Sequence, residues 1–359
     1  MATLWFGLVA FMLVTYVVLD GFDLGVGVVH LLLARDEPEK RTLLSTIGPV
    51  WDGNEVWLIG AGATLFLAFP ALYAASFSGF FLPLMIVLWL LMGRGIALEF
   101  RNHLDHPVWR PFWAVVFSVS SALLAVSLGA GLGNVVRGVP VDASGQFFVP
   151  LWTGFGLTPP TGFFDWYTLL AGSLALAALT LHGSLWAALK MTGDLAERAR
   201  GFARKAWAVT ALLTGAATIA TFSVQPLIPS RLAAHPEGLV FPALALAGLV
   251  LARWLMEKGA DVRAFLSSCL FLTGLLASTA FGLFPYVLPS NADPARSLTV
   301  FAAASADYGL RVALWWWIPG MLLVTGYFVF LYRNFAGRVE AFTPEQAKGA
   351  PVRPMVPSR

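Results

Sequence analysis

Two aspartates three residues apart lie inside an otherwise apolar stretch, TYVVLDGFDLGVGVVHLLL at residues 15–33. Asp20 and Asp23 share one face of a helix. The same acidic spacing returns as Asp52 and Glu55 in PVWDGNEVWLIG, residues 49–60. His182 sits in a third apolar stretch, LTLHGSLWAALK, residues 179–190. Ionisable side chains at membrane depth are costly, so they turn toward an interior, pair with one another and mark ion or proton paths. A carboxylate held neutral or shared by burial takes and passes a proton at modest cost. The chemistry expected of Asp20, Asp23, Asp52, Glu55 and His182 is therefore proton transfer along a route opening to one side of a membrane. Structural roles compete with it. Asp52 with Glu55 fits an N-cap and its N3 partner. Asp20 and Asp23 fit ion pairs with Arg94 or Arg101, and Glu99 fits an interfacial pair with Arg101. His182 fits a hydrogen-bonded core histidine. No catalytic group, cofactor ligand or metal ligand is assigned on this chain.

The elements that must position these groups follow from composition. Of 359 residues, 58% are hydrophobic and 12% charged, against about 25% charged in soluble domains. A mean hydropathy of +0.75 over the whole chain calls for lipid as the solvent of most of it. Nine apolar runs are long enough to span, at about 20 residues each: 4–33, 50–70, 74–98, 112–136, 165–190, 204–226, 238–256, 264–286 and 309–333. They are continuous rather than alternating, which favours helices over a barrel. The expected fold is all-α, a polytopic membrane protein of nine transmembrane helices, arranged as two four-helix bundles plus one peripheral helix. Residues 1–333 form its single domain and 334–359 a polar, Pro-rich cytoplasmic tail without fixed structure. The start, MATLWFGLVAF, lacks a basic n-region and reads as a retained first helix.

Of the 23 lysines and arginines, only Arg137, Arg231, Arg296 and Arg311 fall on one side of these spans. The other nineteen gather in the alternate loops and the C-terminal end, among them Arg35, Lys40, Arg41, Lys190 and Arg198. That asymmetry places the N-terminus outside and the C-terminus in the cytoplasm. It also accounts for the net charge of +3 without any nucleic-acid partner. Counting 1.5 Å per residue from the outer end puts Asp20 about 24 Å and His182 about 26 Å deep, in the cytoplasmic half. Gly21 and Gly25 form a small-xxx-small pair that admits a close helix neighbour, so the acidic helix is expected to face protein. The single cysteine, Cys269, excludes an intrachain disulfide framework. The five histidines, His30, His103, His106, His182 and His235, offer no pair across a membrane pocket, and there is no Cys-x-x-Cys-His. The longest outer loop, 137–164, is poor in charge and rich in aromatics, fit for the membrane surface or a partner.

LDGFDLGVG (19–27) and WDGNEVWL (51–58) together resemble subunit II of cytochrome bd-type quinol oxidases. The resemblance continues through YAASFSGFFLPL (73–84), LEFR (98–101), GNVVRGVP (133–140), FPYVLPSN (284–291) and SLT (297–299). It implies a non-haem subunit of a quinol-oxidising, oxygen-reducing complex in the bacterial inner membrane. It also implies that haem b, haem d and the quinol-oxidising loop belong to subunit I. Protons for water would come from the cytoplasm, so turnover would build a proton motive force. Asp20 and Asp23 match the family's first acidic motif and Asp52 the acid of its WDGN motif. Glu55 stands where a glutamine also occurs, and the position of His182 varies in type. The implied partners are subunit I as a heterodimer, quinone and membrane lipid, with room for a small single-helix third subunit. Two other classes compete: a proton- or cation-coupled transporter, which would show repeated halves and broken helices, and a scaffold without a proton role.

Overall fold

Where lipid offers no hydrogen bonds, each apolar run satisfies its own backbone as a helix. The computed structural model describes residues 1–104, 106–158 and 160–343. In chain order its helices are α1 (Ala2–Leu33), α2 (Glu37–Ser45), α3 (Trp51–Ala68), α4 (Pro70–Gly79), α5 (Phe81–Phe100), α6 (Trp109–Arg137), α7 (Trp166–Lys190), α8 (Gly193–Val224), α9 (Leu227–Ala234), α10 (Val240–Glu257), α11 (Asp261–Leu283), α12 (Val300–Ala303) and α13 (Asp307–Asn334). Among the described residues, eight helices are long and apolar enough to cross a membrane. The expected count of nine is reached only by adding α3. Its 18 residues begin with a polar turn carrying Asp52, Asn54 and Glu55.

The expected run 74–98 is not one helix. Pro70, at the first position of α4, starts a short helix that ends at Gly79, and α5 restarts at Phe81. The expected run 204–226 is the outer part of the longer α8. Local chemistry explains other ends. Asp36 caps α2 by accepting from the Glu39 amide. Asp165 begins α7 with a capping box, its side chain accepting from Tyr167 and Thr168 while the Thr168 hydroxyl accepts from the Asp165 amide, satisfying donors that a helix start leaves open.

Helices α1, α3, α5 and α6 pack as one group and α7, α8, α10 and α11 as another, with α1 and α6 against α7 joining them. Helix α13 lies at the edge beside α1 and α3 and exposes Trp315, Trp316, Leu322 and Leu323. Helix α1 is the hub, and residues 20–27 are buried all round. Its closest approach is to α7. A side chain at Gly25 would collide with the Leu179 carbonyl, and one at Gly183 with the backbone of Gly25. The expected small-residue contact is thus real, with Gly183 as the partner.

The end bearing α2 and the mouths of α3, α7 and α8 holds most of the arginines and lysines and forms the basic end of the molecule. At the opposite end, a two-stranded antiparallel sheet pairs Tyr286–Leu288 with Leu298–Thr299. Gly138, at φ 92°, turns the chain so that the Val139 amide reaches the Pro289 carbonyl at 3.0 Å. The segments GNVVRGVP and FPYVLPSN, far apart in sequence, therefore meet in space. Arg137 donates to Asp165, to the Asn134 side chain (2.6 Å) and to the Gly162 carbonyl (3.2 Å), pinning the outer loop. That loop still exposes Phe148, Trp152 and Phe155.

The first part of the expected tail is held at the basic end. Lys190 Nζ donates to the Phe335 and Gly337 carbonyls, at 2.5 and 3.1 Å. The Val339 amide donates to the Lys190 carbonyl and the Phe342 amide to Thr42 Oγ1. Residues 344–359 of that tail lie outside the described residues.

Candidate functional site

Asp20 and Asp23 come from the buried half of α1 and have 0% exposure. Protein surrounds them, as the glycine spacing led one to expect. Their surroundings are nonetheless different. Arg94, which α5 brings to the same depth, grips Asp20 with both terminal nitrogens: Nη1 donates to Oδ2 at 2.8 Å and Nη2 to Oδ1. Both partners are fully buried. A planar guanidinium fork fits a carboxylate in this way, and such charge-assisted bonds are the strong ones.

Asp23, one turn on, has a neutral partner. Asn54 of α3 donates from Nδ2 to Asp23 Oδ2 at 2.8 Å and, more weakly, to the Leu19 carbonyl at 3.3 Å. Asp23 Oδ1 is buried and, among the described residues, accepts no hydrogen bond. Tyr332 of α13 completes the group. Its hydroxyl donates to Asn54 Oδ1 at 2.9 Å. Tyr16, one turn before Asp20, buries its hydroxyl in the same region.

Glu55 lies partly buried beside this group. Its Oε2 is 4.0 Å from Arg94 Nη2 and its side chain is 23% exposed. Asp52 sits one turn nearer the basic end and is exposed. It does not cap α3: the cap position is Val50, and no side chain bonds there. The N-cap reading of Asp52 with Glu55 therefore fails, since the helix begins two residues earlier than that reading requires.

His182 belongs elsewhere. Its Nε2 faces the Val18 carbonyl at 2.9 Å and its Nδ1 faces Ser268 Oγ at 2.7 Å. Phe265 stacks on the ring at 4.8 Å. On α1, Val18, Gly21 and Gly25 point toward α7, about half a turn away from Asp20 and Asp23. Depth places the histidine beside the acids, but helix rotation puts the backbone of α1 between them. No hydrogen bond or ion pair joins His182 to the acids among the described residues.

The expected pair of Glu99 with Arg101 is also absent among the described residues. Side chains two apart on a helix point in nearly opposite directions. Glu99 is exposed, and Arg101 instead meets Glu37 of α2 at 2.8 Å. Nearby, Glu39 pairs with Arg198 of α8 and accepts from the Arg35 amide at 2.7 Å. Burial would raise the Glu39 carboxyl, but the bonds from Arg198 and Arg35 outweigh it and hold it below the usual glutamate range.

The structure thus brings Asp20, Asp23, Glu55 and Arg94 together, leaves Asp52 at the mouth, and sets His182 apart. It adds Asn54, Tyr332 and Tyr16, which charge-based reasoning passes over because they are neutral. The arrangement suits holding and moving a proton at Asp23 beside a fixed ion pair. Both nitrogens of His182 are engaged, and His30 is fully buried edge-on to Phe117. His103, His106 and His235 are partly or largely exposed in loops. Among the described residues no group of three or more metal-ligating side chains converges.

Comparison with known proteins bears on the same segments. A family model described as cytochrome bd terminal oxidase subunit II matches residues 1–335. The cytochrome bd ubiquinol oxidase subunit 2 of Bacillus subtilis is 32% identical over 343 residues, covering 95% of this chain and 97% of that protein. The probable cytochrome oxidase subunit 2 of Haemophilus influenzae is 30% identical over 365 residues, covering 94% and 95%. A chain of the bd oxidase from Geobacillus thermodenitrificans has the same fold, with a TM-score of 0.73 at 17% identity over 93% of this chain and 98% of that one. A polytopic, all-α membrane architecture, two acidic motifs that meet around Arg94, and a family match running through both lead to one conclusion: the chain belongs to the cytochrome bd terminal oxidase subunit II family.

Proposed function

We propose that this chain is the non-haem subunit of a quinol:oxygen oxidoreductase in a bacterial inner membrane. It supports a haem-bearing subunit I and delivers protons from the cytoplasmic side toward it. The clustering of cations at the basic end supports that end as the cytoplasmic one, by the positive-inside rule. Haem b and haem d are assigned to subunit I, as membership of the subunit II family implies. Quinol is the substrate of the complex. The apolar faces of α13 and α3 are available to subunit I, to lipid or to a small third subunit.

Within this chain the two buried aspartates divide the work. Asp20 is a standing counter-ion, because Arg94 holds both of its oxygens. Asp23 is the carrier, because an amide N–H bonds to a carboxylate oxygen and to the carbonyl oxygen of a carboxylic acid alike. A proton binding at Asp23 Oδ1 forms an O–H bond with no group displaced. Asp52 collects protons at the basic end, and Glu55 relays them inward beside Arg94. The observation that carries this reading is the free, buried Oδ1 of Asp23 beside a carboxylate already neutralised by Arg94.

The test compares Asp23→Asn and Asp52→Asn in the whole complex, with oxygen consumption normalised to haem. Delivery through this site predicts slow turnover at normal haem content. Normal turnover in both variants would leave the chain a scaffold. Loss of haem together with activity would make the acids structural.

A further inference from the structure

Helix α13 is the least embedded of the long helices, yet one of its side chains reaches the acid site. Tyr332 donates to Asn54 Oδ1 at 2.9 Å, and Asn54 donates to Asp23 Oδ2 at 2.8 Å. An asparagine side chain has two ends of similar shape and opposite hydrogen-bonding sense. Turned over, Asn54 would present its oxygen to Asp23, where it suits only the protonated acid and repels the carboxylate. The Leu19 carbonyl, at 3.3 Å, favours the observed orientation weakly. The Tyr332 hydroxyl, which can donate or accept, does not choose that orientation; it holds the far end of the Asn54 amide in place, so that the amide stays against Asp23.

The geometry points to Tyr332 as a positioning residue for Asp23 that acts through Asn54, fixing the amide so that Oδ2 is tethered and Oδ1 is the oxygen that takes the proton. The inference rests on the reading of Asp23 as carrier and names what makes it a good one. The other polar groups around the carboxylate are occupied or turned away. Arg94 is committed to Asp20, Glu55 faces Arg94 at 4.0 Å, and Tyr16 is buried one turn before Asp20. The proton comes from water at the basic end, forms the O–H bond at Oδ1, and that bond breaks when the proton passes toward the partner subunit. No electron moves on this chain.

Tyr332→Phe is a clean perturbation. The ring stays stacked on Phe328, at 6.2 Å, and edge-on to Trp186, at 6.4 Å, while the donor is lost. The experiment uses the purified complex in proteoliposomes, with all rates normalised to haem so that partial assembly does not mimic the effect. The first readout is oxygen consumption in light and heavy water. The second is the redox-difference infrared spectrum, in which the protonated carbonyl band of Asp23 is identified by its disappearance in Asp23→Asn. Tyr332→Phe is expected to slow turnover about tenfold, the size of one hydrogen bond lost from proton transfer. It should also enlarge the solvent isotope effect and shift the Asp23 band. Phe328→Leu, which removes packing alone, should move none of the three. Wild-type rate and band position in Tyr332→Phe, with Asp23→Asn slow, would overturn this inference and leave the carrier reading standing. Wild-type turnover in Asp23→Asn would overturn both.

Discussion

Replacing Arg94 by glutamine strands the Asp20 carboxylate in a site with no exposed surface. Both members of the pair are fully buried, so neither charge recovers hydration when the other is lost. Removing one partner of a buried pair costs about 3–5 kcal/mol. Arg94→Gln belongs near the top of that range, because the second carboxylate of Asp23 lies one turn away. Asp20→Asn belongs near the bottom, because Glu55, at 4.0 Å, is left to balance the guanidinium. Asp23→Asn should cost only about 1 kcal/mol, since it weakens a single bond to a neutral amide. In the double variant Asp20→Asn with Arg94→Gln no charge is left unbalanced, so the two single effects should overlap by about 2–3 kcal/mol. The assay is equilibrium unfolding of the complex in mixed detergent, followed by the fluorescence of the 14 tryptophans. Additive single effects, or an Asp23→Asn cost equal to that of Asp20→Asn, would refute the division between a fixed ion pair and a neutral tether.

Three further outcomes follow from the packing and the surface. Gly183→Val drives a side chain into the α1 backbone at Gly25; overpacking costs about 1–3 kcal/mol where neighbours can shift, and backbone cannot, so less folded complex should be recovered from membranes. Glu39 is held below its ordinary value of 4.5 by Arg198 and the Arg35 amide against the opposing effect of burial. Its contribution is present above the unfolded value and lost as pH falls through the lower folded one. The loss should be about 1 kcal/mol or less for a partly exposed pair, and Glu39→Gln should flatten acid unfolding in that window. Lys190→Ala removes both bonds that hold the Phe335 and Gly337 carbonyls, so limited trypsin digestion should cut after Arg338 faster than in wild type.

Much of this arrangement is legible in the sequence, for reasons that differ by residue. The burial of Asp20 and Asp23 follows from two charges in a continuous apolar run, and the contact at Gly25 from small-residue spacing. What the sequence withholds is rotation. Whether Arg94 grips Asp20, Asp23 or neither depends on how α1 and α5 turn about their axes, which hydropathy does not encode. For the same reason sequence alone groups His182 with the acids, since its depth along α7 is countable and its direction is not. Glu99 and Arg101 are different: helical periodicity alone separates residues two apart. Asn54 lies in plain view within WDGNEVWL, but the cost of burying charge does not single out a neutral amide. Tyr332 is 278 residues from Asn54, and nothing local to α13 announces the bond. The break before Pro70 is readable from that proline, whereas the restart at Phe81 depends on how the outer loop packs Phe147 against Gly79.

The central claim is that protons reach the partner subunit through Asp23. Its most direct test is proton uptake from the basic-end side of proteoliposomes holding Asp23→Asn complex, measured with the haem spectrum on the same sample. Delivery through Asp23 predicts an unchanged spectrum with uptake and oxygen consumption slowed roughly a hundredfold, the scale of a lost proton-transfer group. An unchanged spectrum with uptake at the wild-type rate would contradict it.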